Sequence, residues 1–432
     1  MNKRSIIKAV AMTAVISSVL AMSACSSPGT QGGGTSSAPI TLTFWNGQTG
    51  PDGPAMIQVI DAFNASQSDV QITNVTMPWD QLYQKYLAAA STSDGPQILA
   101  IDSGHIAQYA QTGAILPTDD FYTNSANIDV SVLPTASMDA TKYQGGSYGV
   151  PMDIAPLMVY YNKTMFSAAG VDPAQAFSSW DALAQAAQKL TIMGSGGTPK
   201  QYGMALPEHD TVPIYPMLLW GNGGGVVSTD GKTSMLGDQN SIDAMNYWAD
   251  LVLKHKVSPV GLGGADADAL FQSGKAAMDI TGPWMTSGFQ QAGIDFGVIA
   301  PAPGPKAQVT AASVETFAVS AQASDAEKQA AYKFFAFWLR ADSQVTWANG
   351  SGYPPIRTDV PASQITNPLT AAFGDPALLQ SSQVYLGGIP SASSIDSDVF
   401  VPTLEKVLNG QGTADSLFPP ASQQIQSKLD AG

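Results

Sequence analysis

Short strand-like runs alternate with longer helix-like segments along most of this 432-residue chain. The first run, 40–45, is rich in β-branched and aromatic residues and is followed by a Gly- and Pro-containing stretch that is typical of turns. The pattern predicts strands at 40–45, 70–75, 97–101, 157–161, 202–206, 276–280 and 316–320, and helices at 56–63, 80–90, 179–190, 242–253 and from 325 through 339. Strands that alternate with helices favour βαβ units around parallel sheets, so we expect an α/β fold.

Two of the predicted helices begin with the spacing of a capping box. Ser178 precedes Asp181 by three residues, and Ser324 precedes Glu327 by three residues. The second of these helices carries an apolar and aromatic stripe from Tyr332 to Leu339, which we interpret as core.

The N-terminus carries an export signal. Lys3 and Arg4 precede an apolar run at 6–20, and small residues lead up to Cys25, the single cysteine of the chain. The run is shorter than the about 20 apolar residues that a membrane span requires. Residues 22–25 (MSAC) resemble the lipobox of bacterial lipoproteins, in which the cysteine is acylated and becomes the first mature residue. The alternative is a soluble secreted protein whose cysteine lies by chance in a discarded peptide.

Composition favours an exported, soluble body on a flexible tether. We expect a lipoprotein signal peptide at 1–24 and a Ser- and Gly-rich tether at 25–39. The formal net charge is −15, from 19 Lys and Arg against 34 Asp and Glu, which argues against nucleic acid and against adsorption on anionic lipid. A second long apolar run is absent from the sequence, so we expect no membrane span.

Residues 145–149 match the G-x-S-x-G pattern of serine hydrolases. The nucleophile elbow requires a helix directly after the serine. Val150 and Pro151 follow instead, and a proline biases the residue before it toward extended backbone. We therefore do not assign Ser147 as a nucleophile.

Other chemistry-bearing patterns are incomplete. Residues 231–233 (GKT) resemble the end of a P-loop, but Val226 occupies the position of the required glycine. The three histidines lack metal-ligand spacing. Asp266 and Asp268 suggest calcium, but the Gly and Glu positions of an EF-hand are missing, so a helix N-cap is the preferred interpretation. We expect no catalytic site, no metal and no cofactor.

Six motifs in order resemble the extracellular solute-binding proteins of bacterial ABC transporters, in the carbohydrate-binding group that includes maltose- and glycerol-phosphate-binding proteins. The motifs are 42–47 (LTFWNG); Asp102 with 109–117 (YAQTGAILP); 148–153 (YGVPMD) followed by 159–163 (VYYNK); 271–278 (FQSGKAAM) leading to 282–284 (GPW); 315–320 (ETFAVS); and 352–357 (GYPPIR). The resemblance covers nearly the whole mature chain.

The resemblance implies a two-lobed periplasmic-binding-protein type II-like fold with interdomain crossing strands and a ligand cleft. Lobe 1 would comprise 40–153 plus 316–357, and lobe 2 would comprise 154–315 plus 358–432. The implied function is capture of a sugar or oligosaccharide and delivery to the permease of an ABC importer, by a monomer anchored through lipid on the extracellular or periplasmic side. A polyol-phosphate-binding protein, a secreted carbohydrate-active enzyme and a surface adhesion or signalling lipoprotein remain as alternatives.

The residues themselves support a carbohydrate site. Open α/β sheets bind ligands beyond the carboxyl ends of their strands, and Trp45, Asn46, Asp102 and Trp284 fall there. Aromatic rings bury the C–H faces of a sugar, while fixed donors and acceptors bind its hydroxyls. Few basic residues lie near these loops, which favours neutral sugars over phosphates.

Each candidate residue has a role and an alternative. Trp284 is the leading stacking platform, with core packing as its alternative, and Trp45 and Trp220 are either platforms or cleft wall. Asp102 and Asp153 accept hydrogen bonds from hydroxyls or act as loop carboxylates and caps, and Glu315 is an acceptor or a hinge partner. The remaining candidates are the amides Asn46, Gln48 and Asn222; Tyr353 and Arg357 on the far side, where Arg357 alternatively pairs with a carboxylate; and Tyr215 and Phe400.

Overall fold

The computed structural model of the protein describes residues 38–431 except for 91, 93, 125–127 and 209–212. The predicted signal peptide and Cys25 lie outside the described residues. The strands are β1 (Ile40–Asn46), β2 (Val70–Thr76), β3 (Ile98–Asp102), β4 (Lys142–Tyr143), β5 (Gly146–Ser147), β6 (Val150–Pro156), β7 (Met158–Asn162), β8 (Ile192–Met193), β9 (Pro199–Gln201), β10 (Met278–Thr281), β11 (Phe296–Ile299), β12 (Thr310–Val319) and β13 (Ser382–Gln383).

Helices fill most of the chain between these strands. They are α1 (Gly53–Ser66), α2 (Trp79–Ala89), α3 (Ser103–Gln111), α4 (Asp119–Thr123), α5 (Thr135–Asp139), α6 (Lys163–Ala169), α7 (Pro173–Ala176), α8 (Trp180–Leu190), α9 (Ile214–Gly221), α10 (Gln239–Leu253), α11 (Gly264–Gln272), α12 (Thr286–Gln291), α13 (Asp325–Trp338), α14 (Ala341–Ser351), α15 (Thr370–Phe373), α16 (Pro376–Gln380), α17 (Ala392–Ile395), α18 (Val401–Leu408) and α19 (Ala414–Ala431). No helix among the described residues has the length and apolarity needed to cross a bilayer.

A six-stranded sheet forms the centre of the first lobe. The strands follow the order β13-β12-β3-β1-β2. β6 lies outside this order and also pairs with β12. The pairs β1–β2 and β1–β3 are parallel, as the predicted βαβ units require. β12 runs antiparallel to both β3 and β6 and is twice as long as the strand predicted at 316–320.

A separate three-stranded sheet, in the order β10-β7-β11, forms the second lobe. All of its pairs are antiparallel, so the prediction of parallel pairing does not hold for this half of the chain. The strand predicted at 202–206 is reduced to two isolated bridges, from Tyr202 to Ala276 and from Ala205 to Asp279.

β6 and β12 carry the backbone from one sheet to the other. β6 leads directly into β7 of the second sheet, and the first residue of β12, Thr310, hydrogen-bonds through Oγ1 to the carbonyl of Leu157. These two adjacent strands are therefore the crossing strands of the two-lobed fold.

The predicted aromatic stripe on α13 is core of the first lobe. Phe335 stacks on Phe317 of β12 with ring centroids 4.9 Å apart, and Phe334 lies 5.9 Å from Phe44 of β1. Trp338 is fully buried and its indole N–H donates to the carbonyl of Met152 at 2.9 Å. Burial of these rings contributes strongly to stability, because each removes a large apolar area from water.

The N-termini of the helices confirm one of the capping predictions and contradict the others. Ser324 and Glu327 form the reciprocal capping box that their spacing predicts. At α8 the cap is Ser179, not Ser178, since its side chain accepts from the N–H of Ala182. Gly263 occupies the cap position of α11, so the N-cap interpretation of Asp266 and Asp268 is wrong.

Candidate functional site

Three carboxylates lie side by side where the two lobes join. Glu315 of β12 is paired with Asp102 of β3 on one side and with Asp153 of β6 on the other. Directly paired residues of neighbouring strands place their side chains on the same face of a sheet, so Asp102, Glu315 and Asp153 form an acidic row. Like charges in such positions repel each other, which requires compensation by protons, donors or a ligand.

The buried end of the acidic row is not neutralised by hydrogen bonds. Asp153 is 0 % exposed, and neither of its carboxylate oxygens has a hydrogen-bond partner among the described residues. Asp52, which precedes α1, is buried beside it, and its Oδ1 is also without a partner in this part of the chain. Burial raises the pKa of Asp52 to about 7, and burial together with the charge of Asp52 raises the pKa of Asp153 well above its ordinary value.

Glu315, at the centre of the row, is held from both sides. Gln48 Nε2 donates to Glu315 Oε2, and the hydroxyl of Tyr353 donates to Oε1 at 3.4 Å. Burial, followed by the charges of Asp153, Asp52 and Asp102, raises the pKa of Glu315 well above its ordinary value. The amide oxygen of Gln48 is one more buried acceptor without a partner among the described residues.

Asp102 ends the row in a different electrostatic setting. It caps α3 by accepting from the N–H of Gly104 at 2.7 Å, and it also accepts from the hydroxyl of Tyr83 at 2.6 Å and pairs with His105 Nδ1 at 2.9 Å. Burial alone would raise the pKa of Asp102, but the charge of His105 and these hydrogen bonds lower it to about 2. Asp102 therefore performs the capping role that was its alternative interpretation.

Trp284 lies between the lobes, near the row. It follows β10 on a 3-10 turn, is partly exposed, and packs against hydrophobic clusters of both lobes. Its ring centroid is 6.4 Å from that of Tyr353, which in turn contacts Glu315. The indole folds back over Gly282, where a Cβ would lie within 2.4 Å of three ring atoms, so only glycine fits there.

Trp79 begins an aromatic stack that leads to the acidic row, and the sequence interpretation did not single it out. Its indole covers Gly47, where a Cβ would meet the ring at 2.0 Å. Trp79 stacks on Tyr83 with centroids 5.8 Å apart, and Tyr83 stacks on His105 at 3.8 Å. This aromatic stack begins next to Gln48 and ends at Asp102; the only signal in the sequence is a tryptophan at the start of a predicted helix.

Several predicted site residues lie elsewhere or are engaged locally. Asn46 is buried and hydrogen-bonds to Asn74 and Thr76 of β2, and Trp45 packs partly buried against a cluster that includes Tyr86 and Tyr109. Arg357 forms a two-pronged contact with Asp359 and donates to the carbonyl of Leu339, which is the structural alternative given for it.

The other candidates of the second lobe are engaged within that lobe. Tyr215 and Phe400 are buried inside the core of this lobe. Trp220 packs partly buried against the same core, and Asn222 lines a surface cavity with Trp180 and Tyr247, donating to the carbonyl of Asn240. Among the described residues no group of three or more His, Cys, Asp or Glu has the arrangement of a metal site.

Comparisons with known proteins agree with this architecture. Residues 58–372 match the family model of the bacterial extracellular solute-binding proteins. A putative binding protein of Brucella abortus is 24% identical over 399 residues, spanning 90% of this chain and 92% of that protein. Two solved structures superpose with 22% and 21% identity, each covering 91% of this chain and 99% of the other: the Listeria monocytogenes ABC substrate-binding protein in complex with cycloalternan (TM-score 0.81) and UgpB of Mycobacterium tuberculosis in complex with glycerophosphocholine (TM-score 0.79). The chain therefore belongs to the family of bacterial extracellular solute-binding proteins, the substrate-binding components of ABC importers.

Proposed function

We propose that the ligand is a neutral carbohydrate, captured between the lobes and delivered to the permease. The observation that carries this proposal is the acidic row with its neighbours, where both oxygens of Asp153, Oδ1 of Asp52 and the amide oxygen of Gln48 are buried without partners among the described residues. Sugar hydroxyls donate as well as accept hydrogen bonds, and the partly exposed ring of Trp284, which packs against buried Tyr353, offers a face for the C–H surface of a sugar. The cycloalternan complex of the Listeria protein supports a carbohydrate as the ligand class.

A polyol phosphate, suggested by the glycerophosphocholine complex of the Mycobacterium protein, fits these residues less well. The charges that act most strongly on Glu315 are those of three other carboxylates. Arg357, the cation among the candidate residues, is already engaged by Asp359. A phosphate beside the row would lie close to these carboxyl groups, and His105, the cation beside the row, is already paired with Asp102.

A thermal-shift screen at pH 7.5 tests the ligand class. The panel contains maltotriose, cellobiose, trehalose and raffinose against sn-glycerol 3-phosphate and glycerophosphocholine. We expect at least one neutral sugar at 1 mM to raise the Tm by several degrees, because a ligand at about 1,000 times its Kd stabilises by about 4 kcal/mol. A shift with the phosphates alone would contradict the proposal, and chromatography showing cleaved sugar would identify an enzyme instead.

Capture requires contacts from both lobes. We propose lobe boundaries at 40–153 plus 316–357 and 154–315 plus 358–432, with the hinge in β6 and β12. A ligand shifts the lobes toward closure only by the free energy of contacts that exist in the closed form alone. We propose that Glu315 on a crossing strand and Trp284 in the second lobe contribute such contacts.

We propose further that a monomer is tethered to the membrane through acylated Cys25. Several acyl chains at one residue anchor stably, because each buried CH₂ contributes about 0.8 kcal/mol. The wild-type chain expressed in a bacterial host is expected in the membrane fraction, and Cys25→Ser is expected to release it. Equal partitioning of the two chains into the detergent phase of Triton X-114 would contradict lipidation.

A further inference from the structure

Helix α12 of the second lobe touches the first lobe beside the acidic row. A Cβ on its buried Gly288 would lie 2.6 Å from Cγ and 3.4 Å from Cβ of Pro51, so a side chain at this position would clash with the proline ring. Pro51 directly precedes Asp52, the buried neighbour of Asp153. The contact between Pro51 and Gly288 therefore lies at one end of the row.

The same segment of the second lobe meets the end of α14. Gly352, the C-cap of α14, has a φ of 90°, and a Cβ on it would lie 2.8 Å from the carbonyl oxygen of Pro283 and 2.9 Å from Cβ of Thr286. α14 also packs against α1, which begins just after Pro51. Pro51 and the end of α14 thus offer one surface of the first lobe to residues 283–288.

A further contact between the lobes lies at the other end of the row. Gly104, near the start of α3, packs against the backbone of Tyr385, since a Cβ on Gly104 would lie 3.3 Å from the carbonyl oxygen of Tyr385. α3 also packs against α17 of the second lobe. Gly104 follows Asp102 by two residues, so contacts between the lobes border the row at both of its ends.

We propose that these contacts form only when the lobes are closed, and that a carbohydrate reaches the acidic row and leaves it while they are broken. The missing side chain of Gly288 lets α12 approach Pro51, and this contact stabilises the closed arrangement in the ligand-free protein, because contacts present in one state alone shift the equilibrium toward that state. The proposal deepens the carbohydrate-binding function and rests on it for its consequence, but the contact between the lobes does not depend on the ligand class.

A pair of alanine substitutions tests the close approach. Gly288→Ala is expected to raise the Kd for the panel sugar with the largest thermal shift about 10-fold, although alanine favours a helix more than glycine does. Pro51→Ala removes the clashing Cγ and leaves Cβ at 3.4 Å, so the double variant is expected to bind within 2-fold of Pro51→Ala alone. Gln290→Ala, exposed on the same helix, is the control and is expected to change Kd less than 2-fold.

A cross-link tests the contact without a ligand. Pro51→Cys with Gly288→Cys, in a Cys25→Ser background, places the two Cβ atoms 3.4 Å apart, close to the about 3.5–4.5 Å of disulfides. Copper phenanthroline is expected to form this disulfide in the ligand-free protein, whereas Pro51→Cys with Gln290→Cys is expected to stay reduced. Small-angle scattering is expected to show the oxidised protein as more compact than the reduced one. In stopped-flow fluorescence the oxidised protein is expected to take up the sugar at least 10-fold more slowly, and dithiothreitol restores the rate.

The outcomes separate this proposal from the proposed function. A ligand-free protein that forms no disulfide, or that has the same radius of gyration in its oxidised and reduced forms, overturns the proposal whatever the ligand. If the wild type binds no panel sugar but oxidation compacts the protein, the ligand class is wrong and the contact between the lobes stands. If the sugar binds and oxidised and reduced proteins take it up at the same rate, the contact does not control access and the ligand class stands.

Discussion

Replacing Trp284 by alanine is expected to raise the Kd for the bound carbohydrate by about 30- to 1,000-fold. Truncating a central aromatic side chain of a binding site costs about 2–4 kcal/mol, and each 1.4 kcal/mol is a factor of ten in affinity. Trp284 meets this description because it is partly exposed and contacts the cores of both lobes. Isothermal titration calorimetry at pH 7.5 measures the change.

Two variants sharpen the interpretation. Trp284→Phe keeps an aromatic face and is expected to retain most of the affinity. Trp220→Phe changes a partly buried tryptophan that packs only against the core of the second lobe, and it serves as the control. A Kd for Trp284→Ala within 3-fold of the wild type, in a variant with an unchanged Tm, would remove Trp284 from the site.

Asp52→Asn is expected to stabilise the ligand-free protein at pH 8 by about 1–3 kcal/mol and to leave its stability at pH 4 nearly unchanged. Because burial raises the pKa of Asp52 from 3.8 to about 7, the folded state binds a proton that the unfolded state lacks between those two values. The free energy of unfolding contributed by this group therefore falls as pH rises through the window. A difference of about three units corresponds to an upper limit of about 4 kcal/mol above pH 7.

Urea unfolding at pH 4, 6 and 8 measures this dependence. The side chain of Asp52 makes no capping hydrogen bond to α1, so asparagine removes the charge without removing a cap. Asp61→Asn, on the exposed side of the same helix, is the matched control and is expected to change stability by less than 0.5 kcal/mol. A loss of stability in Asp52→Asn at pH 8 would show that its charge is compensated in the folded state.

The elements with strong local signals were predictable from the sequence. β1 to β3, their helices and the aromatic core of α13 lie within a few residues of their predicted positions, because apolar periodicity and the capping pair Ser324–Glu327 act within one element. The antiparallel second sheet was not predictable, since strand direction depends on partners distant in sequence. The length of β12 was underestimated for the same reason: its first half is defined by contacts with β6.

The candidate site was predicted in part, and the failures have physical causes. Family motifs pointed to Trp284, Glu315 and Tyr353, which the structure brings together. Asp52 was missed because a single aspartate in a Gly- and Pro-rich stretch is indistinguishable from an ordinary turn residue. Trp79 was missed because its significance lies in what it faces across the chain, which is Gly47.

The position of β12 late in the chain also bears on biogenesis. β12 is the strand that separates β3 from β6 in the large sheet, yet it follows β3 by more than 200 residues. The large sheet lacks the strand that joins β3 to β6 until residue 319 has left the ribosome. Contacts so distant in sequence form slowly. Slow completion of the sheet prolongs the unfolded state of the nascent chain. Passage through a secretion pore requires an unfolded chain.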